Sequence, residues 1–397
     1  MTVFESRMET LTAEDREQIQ LERLQALLAR LKRNVRRYRD QLANATVESL
    51  DDVETLPQTS PEALVEAFPY GMFALPLREV IRLHSTVGPE GKQLVIGHTR
   101  NDLRQWARLT ARLLVAGGVT SHDVLQICFQ GGSFGQSLGF MLGAELIGAS
   151  VIPEDPFHIE YQLEVLRNYR ATVLVTTPAN ARELVDLLEN AGIDAQSLHL
   201  RTLFLSRPVA PETREELETG LFAQVRCCFG VPETLDPGLC VDCGFGHFHL
   251  NEDHFAAEVC DGELLVTTLT REAMPLLRYR TRIACRVHRS PCECGRTGLL
   301  LEPGERLDGR FLVNEMPLYR SQLAAVLAKT RVAGQPFRIE VDEKGIIVEI
   351  EVAENFFGDE MRVLADLRND IRTEFLDRLG IAAEVRYVAP SATGRPT

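Results

Sequence analysis

The sequence contains no apolar run approaching membrane-spanning length, and its Glu-rich N-terminus lacks the apolar segment of a signal peptide. Both absences lead us to expect a cytosolic protein. Positive charge is also scarce: 43 Lys and Arg face 57 Asp and Glu, a net charge of -14. A nucleic-acid or membrane-surface partner would need clustered basic residues. The one basic cluster, Arg30 to Arg39, falls in a helical pattern and reads as a solvated or internally paired face. No internal repeat or low-complexity segment is present, and the glycine-lysine spacing of an NTPase phosphate loop is missing. Nine cysteines in a cytosolic chain indicate thiols or metal ligands, not a disulfide framework.

At 397 residues and 45% hydrophobic, the chain can bury a large core and predicts two or three domains. Leu21, Leu24, Leu27, Leu28 and Leu31 recur at helical spacing, predicting one amphipathic helix across residues 10 to 43. From Val80 short strands alternate with helices: Val124 to Cys128, Gly139 to Ile147, Ser150 to Pro153, Ile159 to Arg167, Thr172 to Thr176, Asn180 to Ala191 and Leu200 to Leu205. That alternation predicts a parallel, helix-covered sheet. Residues 225 to 290 are β-rich. Beyond Asp308 a helix at Ser321 to Lys329, two strands, a charged helix at Glu360 to Leu379 and a last strand suit a small α+β domain. The expected division is an N-terminal helical segment over 1–78, a large domain over 79–307 and a small mobile domain over 308–397.

Chemistry-bearing residues concentrate between Val225 and Arg282. Phe229, Gly230 and Glu233 form a turn with a lone carboxylate. Cys243, His249, Cys292 and Cys294 supply a Cys₃His set suited to a closed, tetrahedral Zn²⁺ site, with Cys240, His247 and Cys285 near enough to substitute for one of them. Upstream, His84 to Lys92 reads H-S-T-V-G-P-E-G-K. A Gly-bearing turn with hydroxyls and a Lys can cradle phosphates, because backbone N–H groups approach closely and the ammonium offsets charge.

The stretches F-G-V-P-E (229–233), H-F-H-L-N-E-D-H-F (247–255) and L-T-R-E-A-M-P-L-L-R-Y-R-T-R (269–282) occur in the order of three signatures of one family. On these residues the chain resembles the phenylacetate-CoA ligases, and the resemblance runs from about Gln20 to Val388. It implies the adenylate-forming enzyme fold: a large N-terminal domain of helix-covered sheets with a β-rich part, then a small C-terminal α+β domain. It implies ATP, Mg²⁺ and CoA as co-substrates and cofactor, an aromatic acid as substrate, and a homodimer as the assembly to expect, since members are often dimeric. The implied activity is ATP-dependent formation of an acyl adenylate, then of a CoA thioester. Two other readings follow from departures described next: a homologue that only binds or regulates, and adenylyl transfer without CoA.

By resemblance, Ser85, Thr86, Gly88, Gly91 and Lys92 would cradle the phosphates, Glu233 would coordinate Mg²⁺, and Phe229, Gly230, Asp253, Arg282 and Arg306 would border the nucleotide. Lys92, Glu233, Arg282 and Arg395 are the implied catalytic residues, Asp308 the implied hinge, and Phe129, Phe134, Gly135 and Ser206 the implied acid pocket. Pro89 and Glu90 stand where the family has hydroxyls, Pro232 where it has a Ser, Arg207 where it has a Glu, and Arg395 where it has a catalytic Lys. Ile283 replaces an Asp that grips the ribose hydroxyls, a loss expected to weaken nucleotide binding by about 2 to 3 kcal/mol.

Overall fold

Helix α1 (Ser6–Glu9) leads into α2 (Ala13–Asn34), whose Thr12 cap accepts the Asp15 N–H at 3.1 Å. Leu24, Leu27, Leu28 and Leu31 of α2 are each buried at 4% exposure or less, forming one apolar stripe. The single helix expected over 10 to 43 is in fact two. Val35 turns extended at φ -108°, ψ 110°, its side chain fully buried, and α3 (Arg36–Gln41) resumes beyond it. A computed structural model describes residues 3–129, 134–154, 158–313, 316–330, 337–341, 345–351 and 361–388. The chain divides into two compact units, Met1–Gly88 with Gln93–Asp308, and Pro89–Lys92 with Gly309–Thr397.

In the larger unit, α4 (Pro61–Glu66) precedes an antiparallel hairpin of β1 (Arg82–Val87) and β2 (Gln93–His98). The sequence reading took this region for a turn alone. Helix α5 (Arg100–Ala116) follows, opened by a reciprocal cap of Thr99 and Asp102. Then comes the parallel sheet of β3 (Val124–Cys128), β4 (Ser150–Glu154), β5 (Val173–Thr176), β6 (Thr202–Leu205) and β7 (Gln224–Cys227), ordered β4-β3-β5-β6-β7. Its crossovers are α6 (Phe134–Ile147), α7 (Ile159–Asn168), α8 (Pro178–Ala191) and α9 (Pro211–Leu221). Both faces are apolar, as a helix-covered sheet requires. Val173 and Val175 of β5 face α5 and α6 with Leu113 and Phe140, while Leu174 faces α7, α8 and α9 with Leu166, Leu184 and Leu217.

A second sheet is antiparallel: β8 (Cys240–Asp242), β9 (Phe248–Leu250), β10 (Phe255–Cys260), β11 (Glu263–Thr268), β12 (Tyr279–His288) and β13 (Leu300–Arg306), ordered β10-β11-β12-β13-β9-β8. Its inner face shares one core with the α2 stripe, which answers what that helix lies on. Gln20 of α2 further donates to the carbonyls of Glu252 and Phe255 at 3.0 and 3.1 Å. The smaller unit carries a two-stranded sheet of β14 (Phe311–Val313) and β15 (Met316–Leu318), helices α10 (Arg320–Leu327) and α11 (Met361–Leu379), and a sheet ordered β16 (Phe337–Val341), β17 (Ile346–Glu351), β18 (Ala383–Val388). No helix among the described residues is long and apolar enough to cross a membrane.

Candidate functional site

Glu233 sits in a short 3₁₀ turn, Pro232–Thr234, and is 5% exposed despite its charge. Burial of a carboxylate is unfavourable unless partnered. Its surroundings are built by the L-T-R-E-A-M-P segment. Arg271, 1% exposed, donates to the carbonyls of Glu233 and, at 3.2 Å, Gly97. Asp102, the capping acid of α5, accepts the N–H groups of Glu272 and Ala273 at 2.8 and 3.0 Å. The motif is thus a clamp that fixes the end of β2, the start of α5 and the Glu233 turn together. The Glu233 carboxylate itself makes no hydrogen bond among the described residues and is left to something else.

Three residues on, Asp236 is fully enclosed. Gln136, in the first turn of α6, donates through Nε2 to one Asp236 oxygen and to the Ser206 carbonyl at 2.9 Å. The other oxygen, Oδ1, has no partner. Burial, offset by the Gln136 bond and reinforced by the Glu233 charge, pushes the Asp236 carboxyl up to about 7. His98 stacks on Trp106 with centroids 5.1 Å apart, and His84 lies 4.9 Å from His98. Burial holds both imidazoles neutral, with Arg82 and Arg271 adding to the effect, His84 falling to about 4 and His98 well below its usual range. Gly135 and Gly139 of α6 admit this group: a Cβ on Gly139 would strike Trp106 Nε1 at 2.7 Å, whereas one on Gly135 would lie 3.9 Å from His84 Nδ1. Sequence reasoning named Gly135 and Ser206 but assigned no role to Asp236, Gln136, His98 and Trp106, because nothing in their spacing marks them, nor to Arg271, which it saw only as part of the L-T-R-E-A-M-P signature.

Other expected residues lie elsewhere. Asp253 is not available to a nucleotide. It is 2% exposed, and both its oxygens bond Arg112, each at 2.7 Å. Burial alone would raise this carboxyl and lower the guanidinium; the paired bonds reverse both shifts. Phe129, 8% exposed, packs on Phe140 in the core under the parallel sheet instead of lining a pocket. Phe229 packs on Phe248 at 5.9 Å, and Gly230 lets Asp236 lie close against the backbone, since a Cβ there would meet Oδ1 at 3.0 Å. Arg282 is held by Glu62 at 3.0 Å, Arg306 by Asp308 at 2.7 Å, and Ile283 is buried in β12. Ser85 accepts from Gln93 within the hairpin at 2.9 Å, and Thr86 continues the strand ahead of Gly88, whose own Cβ would meet Leu94 at 2.8 Å. Lys92 and Glu90 form an exposed ion pair at 3.2 Å in the turn that contains Gly91, so the inserted acid takes up the ammonium. Arg395 and the Phe134 side chain lie outside the described residues.

The Cys/His set does converge. Ligand atoms of Cys243, His249, Cys292 and Cys294 all lie within 4.8 Å of one another. Cys243 and Cys292 sulfurs are 3.8 Å apart, and Cys294 Sγ is 3.3 Å from His249 Nε2. Four ligands about 2.0 to 2.3 Å from one tetrahedral ion would stand roughly 3.5 to 3.8 Å apart. The C-E-C-G knuckle turns through Gly295 at φ 76°, which brings the Arg296 N–H to Cys294 Sγ at 3.4 Å. Cys240 and Cys285 are buried apart from this group as apolar thiols, and His247 faces His288.

The fold so assembled is that of the adenylate-forming ligases. A solved 2-hydroxyisobutyryl-CoA ligase, in complex with 2-HIB-AMP and CoA, matches with a TM-score of 0.87 over 99% of this chain and 90% of its own, at 22% identity. Residues 316–397 match the AMP-binding enzyme C-terminal domain. The sequence is 31% identical to a phenylacetate-coenzyme A ligase of Thermus thermophilus, covering 99% of this chain and 97% of that one. To its counterpart in Pseudomonas putida it is 30% identical, covering 96% and 92%. The chain belongs to the phenylacetate-coenzyme A ligase family.

Proposed function

We propose that the protein activates an aromatic carboxylic acid such as phenylacetate and transfers it to coenzyme A. The acid's carboxylate oxygen attacks the α-phosphorus of ATP, and the bond to pyrophosphate breaks. The CoA sulfur then attacks the acyl carbon, and AMP leaves with the former carboxylate oxygen. The observation that carries this reading is near-full-length kinship to enzymes of that name, joined to a buried Glu233 whose carboxylate accepts no hydrogen bond among the described residues. An unpaired carboxylate fits Mg²⁺, whose charge would offset that of the triphosphate. Lys92 and Arg282 would contribute donors, the former after leaving Glu90. Exposed ion pairs of this kind are worth at most about 1 kcal/mol, so that exchange is easily made. Asp308 would serve as the pivot and Arg395 as the terminal cation. Ile283 offers the ribose no acceptor, which places a larger share of nucleotide binding on the phosphates.

We further infer that Cys243, His249, Cys292 and Cys294 hold a structural Zn²⁺. The three sulfurs and one imidazole leave no open position, so the ion would staple β8, β9 and the knuckle after β12 without touching the chemistry. Pyrophosphate release and thioester formation across a panel of aryl acids, with and without CoA, test the ligase reading. Pyrophosphate and AMP in step with thioester are expected. Release without thioester would favour adenylyl transfer, and no release for any acid would leave a protein that only binds.

A further inference from the structure

Among the described residues, four buried polar groups around the first turns of α6 have no partner: both ring nitrogens of His98, Trp106 Nε1, Ser206 Oγ and Asp236 Oδ1. Their residues are 1%, 2%, 8% and 7% exposed. More than nine in ten buried polar groups in folded proteins are paired, and a Trp N–H usually finds an acceptor. One orphan would pass without comment, but four round one turn of helix do not. They are tied to one place by α6 itself. Gln136 bonds Asp236 and the Ser206 carbonyl, a Cβ on Gly139 would strike both Trp106 Nε1 and Pro237 beside Asp236, and Gly135 leaves room toward His84 and Trp106. The aromatic rings of His84, His98 and Trp106 supply the flat apolar walls an aryl group needs, while the unpaired atoms are wasted on a bare phenyl ring.

We propose that the acid accepted here carries a hydrogen-bond donor, a hydroxyl or amino group, on its ring, and that Asp236, oriented by Gln136, recognises it. This deepens the ligase reading and rests on it for what the cluster receives. A site built to bond a substrate's hydroxyl rejects the analogue without it far more strongly than an apolar pocket rejects an added one, because the buried acceptor is then stranded. Gln136 is well suited to the orienting task. Its one amide donates to Asp236 Oδ2 and to a main-chain carbonyl, which leaves Oδ1 as the acceptor.

The test separates this proposal from the ligase reading. Calorimetric binding of phenylacetate, para-hydroxyphenylacetate and para-aminophenylacetate is measured without nucleotide, for the full chain and for Asp236→Leu, Asp236→Asn and Gln136→Met. At pH 8, where Asp236 is ionised, the wild type should bind a ring-substituted acid at least ~10-fold more tightly than phenylacetate, the ratio a bond to a charged acceptor sustains. Asp236→Leu should reverse the order, with Asp236→Asn and Gln136→Met intermediate. Equal binding of all three acids, binding of none, or an unchanged preference in both Asp236 variants would overturn the proposal. Selective binding with no thioester formed would sink the ligase reading and leave this site standing.

Discussion

Two clusters of buried polar groups lie along α5, and they are finished differently. At Arg112 every group is answered: Asp253 bonds it twice, Glu5 accepts at 2.7 Å, and Asn251 accepts at 3.0 Å. At Trp106, two turns earlier, both ring nitrogens of His98, Ser206 Oγ and Asp236 Oδ1 have no partner among the described residues, although Gln136 bonds the other Asp236 oxygen. The first arrangement is complete without a ligand and serves the fold. The second is complete only with one. That contrast separates structural from functional burial more cleanly than charge or burial alone, since Asp253 and Asp236 are comparably hidden.

The largest expected effect breaks the finished cluster. Asp253→Ala removes two of the four bonds on Arg112 and should lower unfolding free energy by about 3 kcal/mol in urea titrations, while phenylacetate binding by the folded fraction stays unchanged. Next is the proposed metal knot. Cys294→Ala should abolish the one zinc per chain that the proposal expects by mass spectrometry and, for a loss on the order of 3 kcal/mol in the larger unit, lower Tm by about 5 °C.

The unfinished cluster should respond to pH. Asp236 has its folded pKa raised to about 7, so the folded state holds a proton that the unfolded chain has released. Stability through this group is therefore lost as pH rises from about 4 to about 7. Glu233, Cys228 and Cys240 face it, and the two thiols stay neutral across this window because burial pushes them well up. Asp236→Asn should flatten that slope, gaining on the order of 4 kcal/mol over wild type at pH 8 relative to pH 4. His84, His98 and His254 act in the opposite sense. Held neutral when folded, they remove stability as pH falls below about 6.5. The smallest effect belongs to the exposed Lys92 pair: Glu90→Gln should change stability by less than about 1 kcal/mol, yet tighten ATP binding a few-fold by freeing the ammonium.

Much of the architecture was legible because its signals are periodic. The leucine stripe of α2 and the strand-helix alternation from Val124 to Leu205 follow directly from what each element must bury. The convergence of the Cys/His cluster was legible because three thiols and an imidazole in that pattern have few other uses. What stayed hidden is long-range. Asp253 lies within a family signature, and only the fold brings Arg112 from α5 to meet it. Asp236 follows the signature Glu233 without belonging to any motif, and its meaning depends on a helix 100 residues earlier in the chain. The hairpin at Arg82 to His98 was missed because its turn residues read as a phosphate cradle and obscured the strands on either side.

A crystal structure with an acyl sulfamoyl adenosine bearing a para-hydroxyphenylacetyl group would test the central claim most directly. The account predicts the aryl ring among His84, His98 and Trp106, its hydroxyl on Asp236 Oδ1, and the sulfamoyl linkage toward Glu233. An inhibitor bound with those atoms still unpaired, or an acyl group lodged elsewhere in the larger unit, would contradict it.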